Sequence, residues 1–243
     1  MKLDEWFEKN RYKCQSFSNI KRLVRLKKEK GLTISLCIPT LNEEKTLGKV
    51  LDTVKPLMDK HHLLDEIIVI DGNSTDSTKD IAEMRGAKFF RDSEILRRYG
   101  SVGGKGDALW KALYVSQGDI IIFLDADIKN IHPRFVYGLI GPLLTQNNLN
   151  FTKAFYRRPI KVGEKIVPLG GGRVTELLIR PLFNMYFPEL SAFIQPLSGE
   201  YAGRREVLEK LSFFTGYGIE TSLLIDISKK YGLETMAQVD LKK

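Results

Sequence analysis

Five consecutive residues, Ile120 to Leu124 (IIIFL), are large and apolar, and the run stops dead at Asp125-Ala126-Asp127. With no polar alternation, such a run fits a strand buried on both faces, the habit of parallel sheets covered by helices. The carboxylates that follow stand one residue apart at the carboxyl end of that strand, the edge where open α/β sheets collect ligands. Charges placed there are costly without a partner. A divalent cation is the simplest one, because Mg²⁺ or Mn²⁺ takes hard oxygen ligands and often bridges to a substrate phosphate. Taken alone, the pair reads first as an aspartate cap and a polar turn; only its company along the chain can change that.

Upstream, Thr33 to Ile38 (TISLCI) is a β-rich run stopped by Pro39. In Thr40-Leu41-Asn42-Glu43-Glu44, Asn42 is placed as the N-cap of a helix to about Leu57, with Leu47, Val50, Leu51 and Val54 on one face. Glu66 to Ile70 (EIIVI) is a second buried strand, followed by the turn DGNSTD, a helix to about Gly86 and a third strand at Ala87 to Phe90. Strand, helix, strand, helix, strand predicts a Rossmann-like α/β sheet, mostly parallel and flanked by helices, with its loops on one edge.

Arg97 to Gly106 (RRYGSVGGKG) is basic and glycine-rich, and Asp107 then opens a helix. Glycines let backbone amides approach a phosphate and Lys105 adds a point charge. The spacing is not that of a P-loop, and a mobile surface loop is the competing reading. Pro133 begins a helix to about Leu144; Phe151 to Tyr156 is a strand ended by Arg157-Arg158; Val162 to Pro168 looks like a hairpin edge. Gly170-Gly171-Gly172-Arg173-Val174-Thr175-Glu176 runs three glycines into a helix start. That is an anion site made of amides, an arginine fork and a helix dipole, or a flexible turn with a threonine cap. Gln195 to Tyr201 is a tight polar turn, Phe214 to Glu220 sets Glu220 at the start of an apolar helix, and residues 235–241 form a last strand.

With 43% hydrophobic residues, 243 residues suffice for one sizeable core. Cys14 and Cys37 make no disulfide framework and no CxxC, which favours a reducing compartment, the cytoplasm. No signal-peptide pattern opens the sequence. No stretch of about twenty apolar residues exists; the nearest, Leu177 to Ile194, is broken by Arg180, Pro181, Pro188 and Glu189. Residues 1–30 carry ten Lys/Arg against four Asp/Glu and so hold most of the net charge of +8. They read as a solvated, partly helical extension, with packing on a partner subunit or an anionic surface as alternatives. No motif spacing points to nucleic acid.

The ordered motifs PTLNEE, DGNSTDST, GGKGDALW and DAD resemble those of nucleotide-sugar glycosyltransferases of the glycosyltransferase A-type fold. FYRRP, GGGRVTEL, RPL, QPLSGEYAGRRE, GYGIE and LLID…GL…AQV narrow the resemblance to glucosyl-3-phosphoglycerate synthases, over about residues 33–241. The resemblance implies one continuous catalytic domain, 31–243, after the extension at 1–30. Residues 31–130 would be a nucleotide-sugar-binding half and 131–243 a smaller acceptor-binding half. It implies metal-dependent transfer of glucose, with retention, from UDP-glucose or GDP-glucose to the 2-hydroxyl of 3-phosphoglycerate, by a homodimer. Pro39, Thr40, Leu41 and Glu43 would hold uracil and ribose. Gly72 stands where relatives often have Ser, which bears on nucleotide choice. Lys105 would reach the diphosphate or ribose. Asp125 and Asp127, with Ala126 between, would bracket ribose and metal, Asp127 being the direct ligand. Leu197 would line the sugar pocket through its backbone. Gly172, Arg173 and Thr175 would bind the acceptor's phosphate and carboxylate, and Tyr217 and Glu220 would contact glucose and acceptor. Glu220, Asp125 and Asp127 are thus the candidate catalytic set.

Relatives carry an Arg and a metal-binding His after the AQV strand, in a segment that would begin just beyond Lys243; His61, His62 and His132 do not match that position. Either the sequence is a piece of a longer chain, or water and diphosphate complete the metal site. Weakened metal binding and activity are the expectation for the 243 residues. A polyprenyl-phosphate sugar transferase on the same fold and a non-catalytic sugar-nucleotide-binding protein remain alternatives.

Overall fold

The computed structural model describes residues 3–100, 102–156, 160–162, 165–167 and 172–242. In chain order the strands are β1 (Arg11–Lys13), β2 (Ile34–Thr40), β3 (Glu66–Asp71), β4 (Lys88–Arg91), β5 (Ile120–Phe123), β6 (Phe151–Phe155), β7 (Ile160–Val162), β8 (Lys165–Val167), β9 (Tyr201–Arg204) and β10 (Met236–Asp240). The helices are α1 (Leu3–Lys9), α2 (Ile20–Glu29), α3 (Leu47–Asp59), α4 (Thr78–Met84), α5 (Lys105–Val115), α6 (Arg134–Thr145), α7 (Arg180–Tyr186), α8 (Arg205–Leu208) and α9 (Ile219–Tyr231). Eight strands form one sheet in the order β1-β10-β6-β9-β5-β2-β3-β4, while β7 and β8 pair as a separate antiparallel hairpin. Every pairing in the large sheet is parallel except those of β9, which runs antiparallel to both β5 and β6.

The apolar run Ile120 to Leu124 supplies β5. Ile120, Ile122 and Leu124 pack with α2, α3 and α6 on one face; Ile121 and Phe123 pack with α5, α7 and α9 on the other. Both faces are covered by helices, which is why no polar residue interrupts the run. From β2 the chain steps outward through α3, β3, α4 and β4, then returns along α5 to lay β5 on the other side of β2. The strand order therefore reverses between β2 and β5, and their carboxyl ends flank the crevice where such sheets bind ligands.

Residues 3–30 of the basic N-terminal segment are not a solvated extension. Strand β1 adds an edge to the sheet, parallel to β10, with Tyr12 opposite Val239. The Trp6 side chain is fully buried, and its Nε1 donates to the carbonyls of Leu233 at 2.8 Å and Met236 at 3.1 Å. Asn10 Nδ2 donates to Met236 O at 2.8 Å. Phe17 packs so closely on α6 that a methyl group at Gly141 would overlap its ring. The charge excess masked a sparse but well-placed apolar set, Trp6, Cys14, Phe17 and Leu23.

Asn42 is likewise not a helix cap. Its φ of 55° is left-handed, a conformation Asn tolerates at modest cost, and α3 begins only at Leu47. Arg157, Arg158, Pro168, Gly170 and Gly171 lie outside the described residues.

Candidate active site

Two loops close the far side of the crevice, and side chains lace them together. The backbone N–H of Asn42 donates to Ser74 Oγ at 2.7 Å, and Asn42 Oδ1 accepts from Thr75 N at 2.9 Å. Glu43 N donates to Thr78 Oγ1 and Glu44 N to Asp76 Oδ2. At the strand ends, Asp71 accepts from Thr40 Oγ1 and from Ser74 through both its N–H and its hydroxyl. The PTLNEE and DGNSTDST loops are thus one structure. In it Thr40 is buried, Leu41 is exposed, and Glu43 Oε2 accepts from Thr46 Oγ1 at 2.7 Å. Gly72 donates its N–H to Thr40 O; a Cβ there would sit 3.4 Å from that oxygen, an ordinary contact, so the backbone does not demand glycine.

On the near side, three of the candidate residues converge. Lys105, at the first turn of α5, places its Nζ 2.6 Å from Asp125 Oδ1 and 2.7 Å from Glu220 Oε1. Asp125 follows β5, and Glu220 is the second residue of α9, where the helix dipole favours an anion. Burial pulls the Lys105 ammonium toward neutrality, but Asp125 and then Glu220 outweigh it and hold its pKa above the ordinary lysine value. Lys105 is therefore held as a cation between Asp125 and Glu220.

Glycines permit this approach. Gly103 and Gly104 have φ of 75° and 87°, which turns the chain into α5. A methyl group at Gly106 would overlap the Phe214 carbonyl, so α5 rests directly on the 214–216 backbone that leads to Glu220. A methyl group at Gly199 would overlap the Asp125 carboxylate, so the turn before β9 forms a wall of the same site. Inside α5, Asp107 accepts from Lys111 Nζ at 2.7 Å and from Gly103 N at 3.3 Å, tying down the glycine loop.

Asp127 is exposed and has no hydrogen bond or ion pair among the described residues. Ala126 is buried and Leu197 half-buried in the turn that Gly199 shares. Pro39 lies within β2. Gly172, with φ of 88°, accepts at its carbonyl from Glu176 N, Arg173 is exposed, and Thr175 is buried at the start of a wide-turned helix leading into α7. No hydrogen bond or ion pair among the described residues joins Arg173 or Thr175 to the Lys105 cluster. Tyr217 lies in a single helical turn at Gly216–Gly218.

Sequence reasoning overlooked Gly199, Gly106 and Lys153. The last is a lone charge within the apolar strand Phe151–Phe155, which was the available signal.

No cluster of three or more His, Cys, Asp or Glu among the described residues could by itself enclose a metal ion. Asp125 and Glu220 are already engaged by Lys105, whereas Asp127, two residues on from Asp125, offers hard carboxylate oxygens. Such a carboxylate suits Mg²⁺ or Mn²⁺, with the remaining positions left to substrate oxygens and water.

The profile of glycosyl transferase family 2 matches residues 35–211. The chain is 57% identical over 235 residues to the glucosyl-3-phosphoglycerate synthase of Petrotoga mobilis, covering 96% of this chain and 72% of that protein. It is 47% identical over 214 residues to the enzyme of the same name from Mycolicibacterium paratuberculosis, covering 87% of this chain and 64% of that one. The crystal structure of mannosyl-3-phosphoglycerate synthase from Rubrobacter xylanophilus superposes with a TM-score of 0.91 at 42% identity, over 99% of this chain and 75% of that one. Glucosyl-3-phosphoglycerate synthase from Mycobacterium tuberculosis, solved with Mn²⁺, UDP-glucose and phosphoglyceric acid, superposes at 0.83 and 44% identity, over 92% and 74%. A likeness this extensive settles the kinship: the chain belongs to glycosyl transferase family 2, alongside its glucosyl-3-phosphoglycerate synthases.

Proposed function

We propose that the protein transfers glucose from UDP-glucose to the 2-hydroxyl of 3-phosphoglycerate with retention, giving glucosyl-3-phosphoglycerate. The observation that carries this reading is the Lys105 bridge. It brings the nucleotide-side carboxylate Asp125 and the acceptor-side carboxylate Glu220 to one ammonium, and relatives 57% and 47% identical carry the corresponding name. The laced loops around Thr40, Leu41, Glu43 and Gly72 receive the nucleoside. The donor diphosphate then competes with Asp125 and Glu220 for Lys105, which supplies preorganised positive charge where the leaving group becomes more negative. A divalent cation held at Asp127 adds Lewis-acid stabilisation of that same charge when bound. Arg173 and Thr175, at a helix start behind Gly172, take the anionic acceptor and orient its 2-hydroxyl toward the anomeric carbon. Released from Lys105, Glu220 presents its carboxylate to the reacting face.

A homodimer is part of the proposal. Val174, Leu177, Leu178, Met185 and Tyr186 are all more than half exposed along the helical segment 174–186, a set of apolar side chains that supports self-association. Sedimentation velocity reads it directly. No helix among the described residues is long and apolar enough to cross a membrane.

The deciding assay is nucleotide release from UDP-glucose and GDP-glucose with Mn²⁺, with and without 3-phosphoglycerate. Release that depends on 3-phosphoglycerate is expected, faster with UDP-glucose. Release indifferent to 3-phosphoglycerate, or none, would overturn the reading.

A further inference from the structure

Behind the Lys105 cluster lies a second lysine that no step above uses. Lys153 stands in the middle of β6 and is 1% exposed. Across the sheet it is opposite Tyr201 of β9 on one side and Gln238 of β10 on the other. Its Nζ lies 4.5 Å from the Tyr201 ring centroid and donates to the Ser198 carbonyl at 2.6 Å. The Tyr201 hydroxyl, equally buried, has no hydrogen-bond partner among the described residues.

The turn that receives this bond is strapped to β6 along its length. Ser198 Oγ donates to Ala154 O at 2.8 Å, Ala154 N donates to Glu200 O at 2.9 Å, and the Tyr156 hydroxyl donates to Glu200 Oε1 at 3.0 Å. Gln195 exchanges bonds with the Tyr156 backbone in both directions. Among these straps the Lys153 bond is the one made by a buried ammonium, and it reaches the carbonyl between Leu197 and Gly199. Gly199 in turn abuts the Asp125 carboxylate.

We propose that Lys153 is the positioning residue of the sugar-binding turn: from within the sheet, on β6, its ammonium holds the Ser198 carbonyl, and so sets Leu197 against the transferred sugar and Gly199 against Asp125. The sugar contact rests on the function proposed above; the hold on the turn does not.

A cation so deeply buried also makes the turn sensitive to pH. Burial pushes the Lys153 pKa down to about 8. Glu220 of α9 opposes that, Lys105 of α5 adds to it, and Glu200 of the turn and Asp125 after β5 oppose it. Above that pH the amine loses its charge, and the bond to Ser198 loses the strength that charge lends it.

The test compares the wild-type chain with Lys153→Met and Lys153→Arg by hydrogen–deuterium exchange without ligand, and by glucose transfer. In Lys153→Met, exchange of the Ser198 to Glu200 amides should rise about tenfold or more while β2 and β3 keep their protection. The KM for UDP-glucose should rise about tenfold with that for 3-phosphoglycerate within about twofold, and Lys153→Arg should recover part of the loss. The wild-type rate should fall through about pH 8, and Lys153→Met should lack that limb. Unchanged exchange in the turn, or an alkaline limb that survives the substitution, overturns the proposal. If Lys153→Met loses protection everywhere, the wild type decides. After correction for intrinsic exchange, protection of the turn must fall with a midpoint near pH 8, and a flat profile overturns the proposal. A wild-type chain that makes no product refutes the proposed function, while the exchange arm still judges Lys153.

Discussion

At Gly199 the absence of a side chain is the functional property. Its Cα lies where any Cβ would occupy the space of the Asp125 carboxylate. Gly199→Ala should therefore displace Asp125 from Lys105 and lower kcat/KM about 100-fold, with a folded, near-native melting profile; steady-state kinetics beside calorimetry checks it. Glu66 shows a buried carboxylate in a structural role. It accepts from Ser35 Oγ, Gln117 N and Lys88 Nζ, joining β2, β3, β4 and the turn before β5. Burial raises its pKa, but the bonds from Lys88, Ser35 and Gln117 outweigh it, leaving the folded value below the ordinary one. A carboxylate so shifted stabilises the fold above its unfolded pKa of about 4.5 and loses that contribution as pH falls through the folded value. Glu66→Gln should cost about 2–3 kcal/mol at pH 7 and progressively less in acid, read from denaturant melts across pH.

Among the elements, α5 and the 214–216 segment depend on each other. Gly106 lets the helix backbone rest on the Phe214 carbonyl, and Glu220 follows a few residues later at the head of α9. Gly106→Ala should cost about 1–3 kcal/mol through overpacking, and should reduce turnover further than its stability loss explains; thermal melts with single-turnover rates separate the two. Local patterns made much of this scale legible. The apolar runs TISLCI, EIIVI and IIIFL are strands because both their faces are covered, and the carboxylates after them mark the ligand edge. What local patterns did not carry was long-range partnership. That β9 inserts antiparallel between β5 and β6, or that Lys153 faces a ring and a carbonyl from other segments, is decided by the packing of residues 45 to 84 positions apart. Asn42 was misread because a cap and a loop tie use the same side-chain chemistry, and only φ distinguishes them.

Across the whole molecule, the basic N-terminal segment is part of the sheet. Its charge was visible and its role was not, because one tryptophan and one three-residue strand leave little periodicity to read. Trp6→Ala should cost about 3–5 kcal/mol and expose β10, with glucose transfer retained well below the melting point; chemical denaturation and a kinetic assay at low temperature check both. Trp6 and its acceptor Met236 are 230 residues apart in sequence. A ribosome adding about 5–20 residues per second needs roughly ten to fifty seconds to cover that distance. Until β10 emerges, the indole of α1 and the strand β1 are unmatched, while β2, β3 and β4 can already pair with one another. The sheet must therefore finish from its oldest end last. The nascent chain carries an unpaired strand and an exposed indole until β10 arrives.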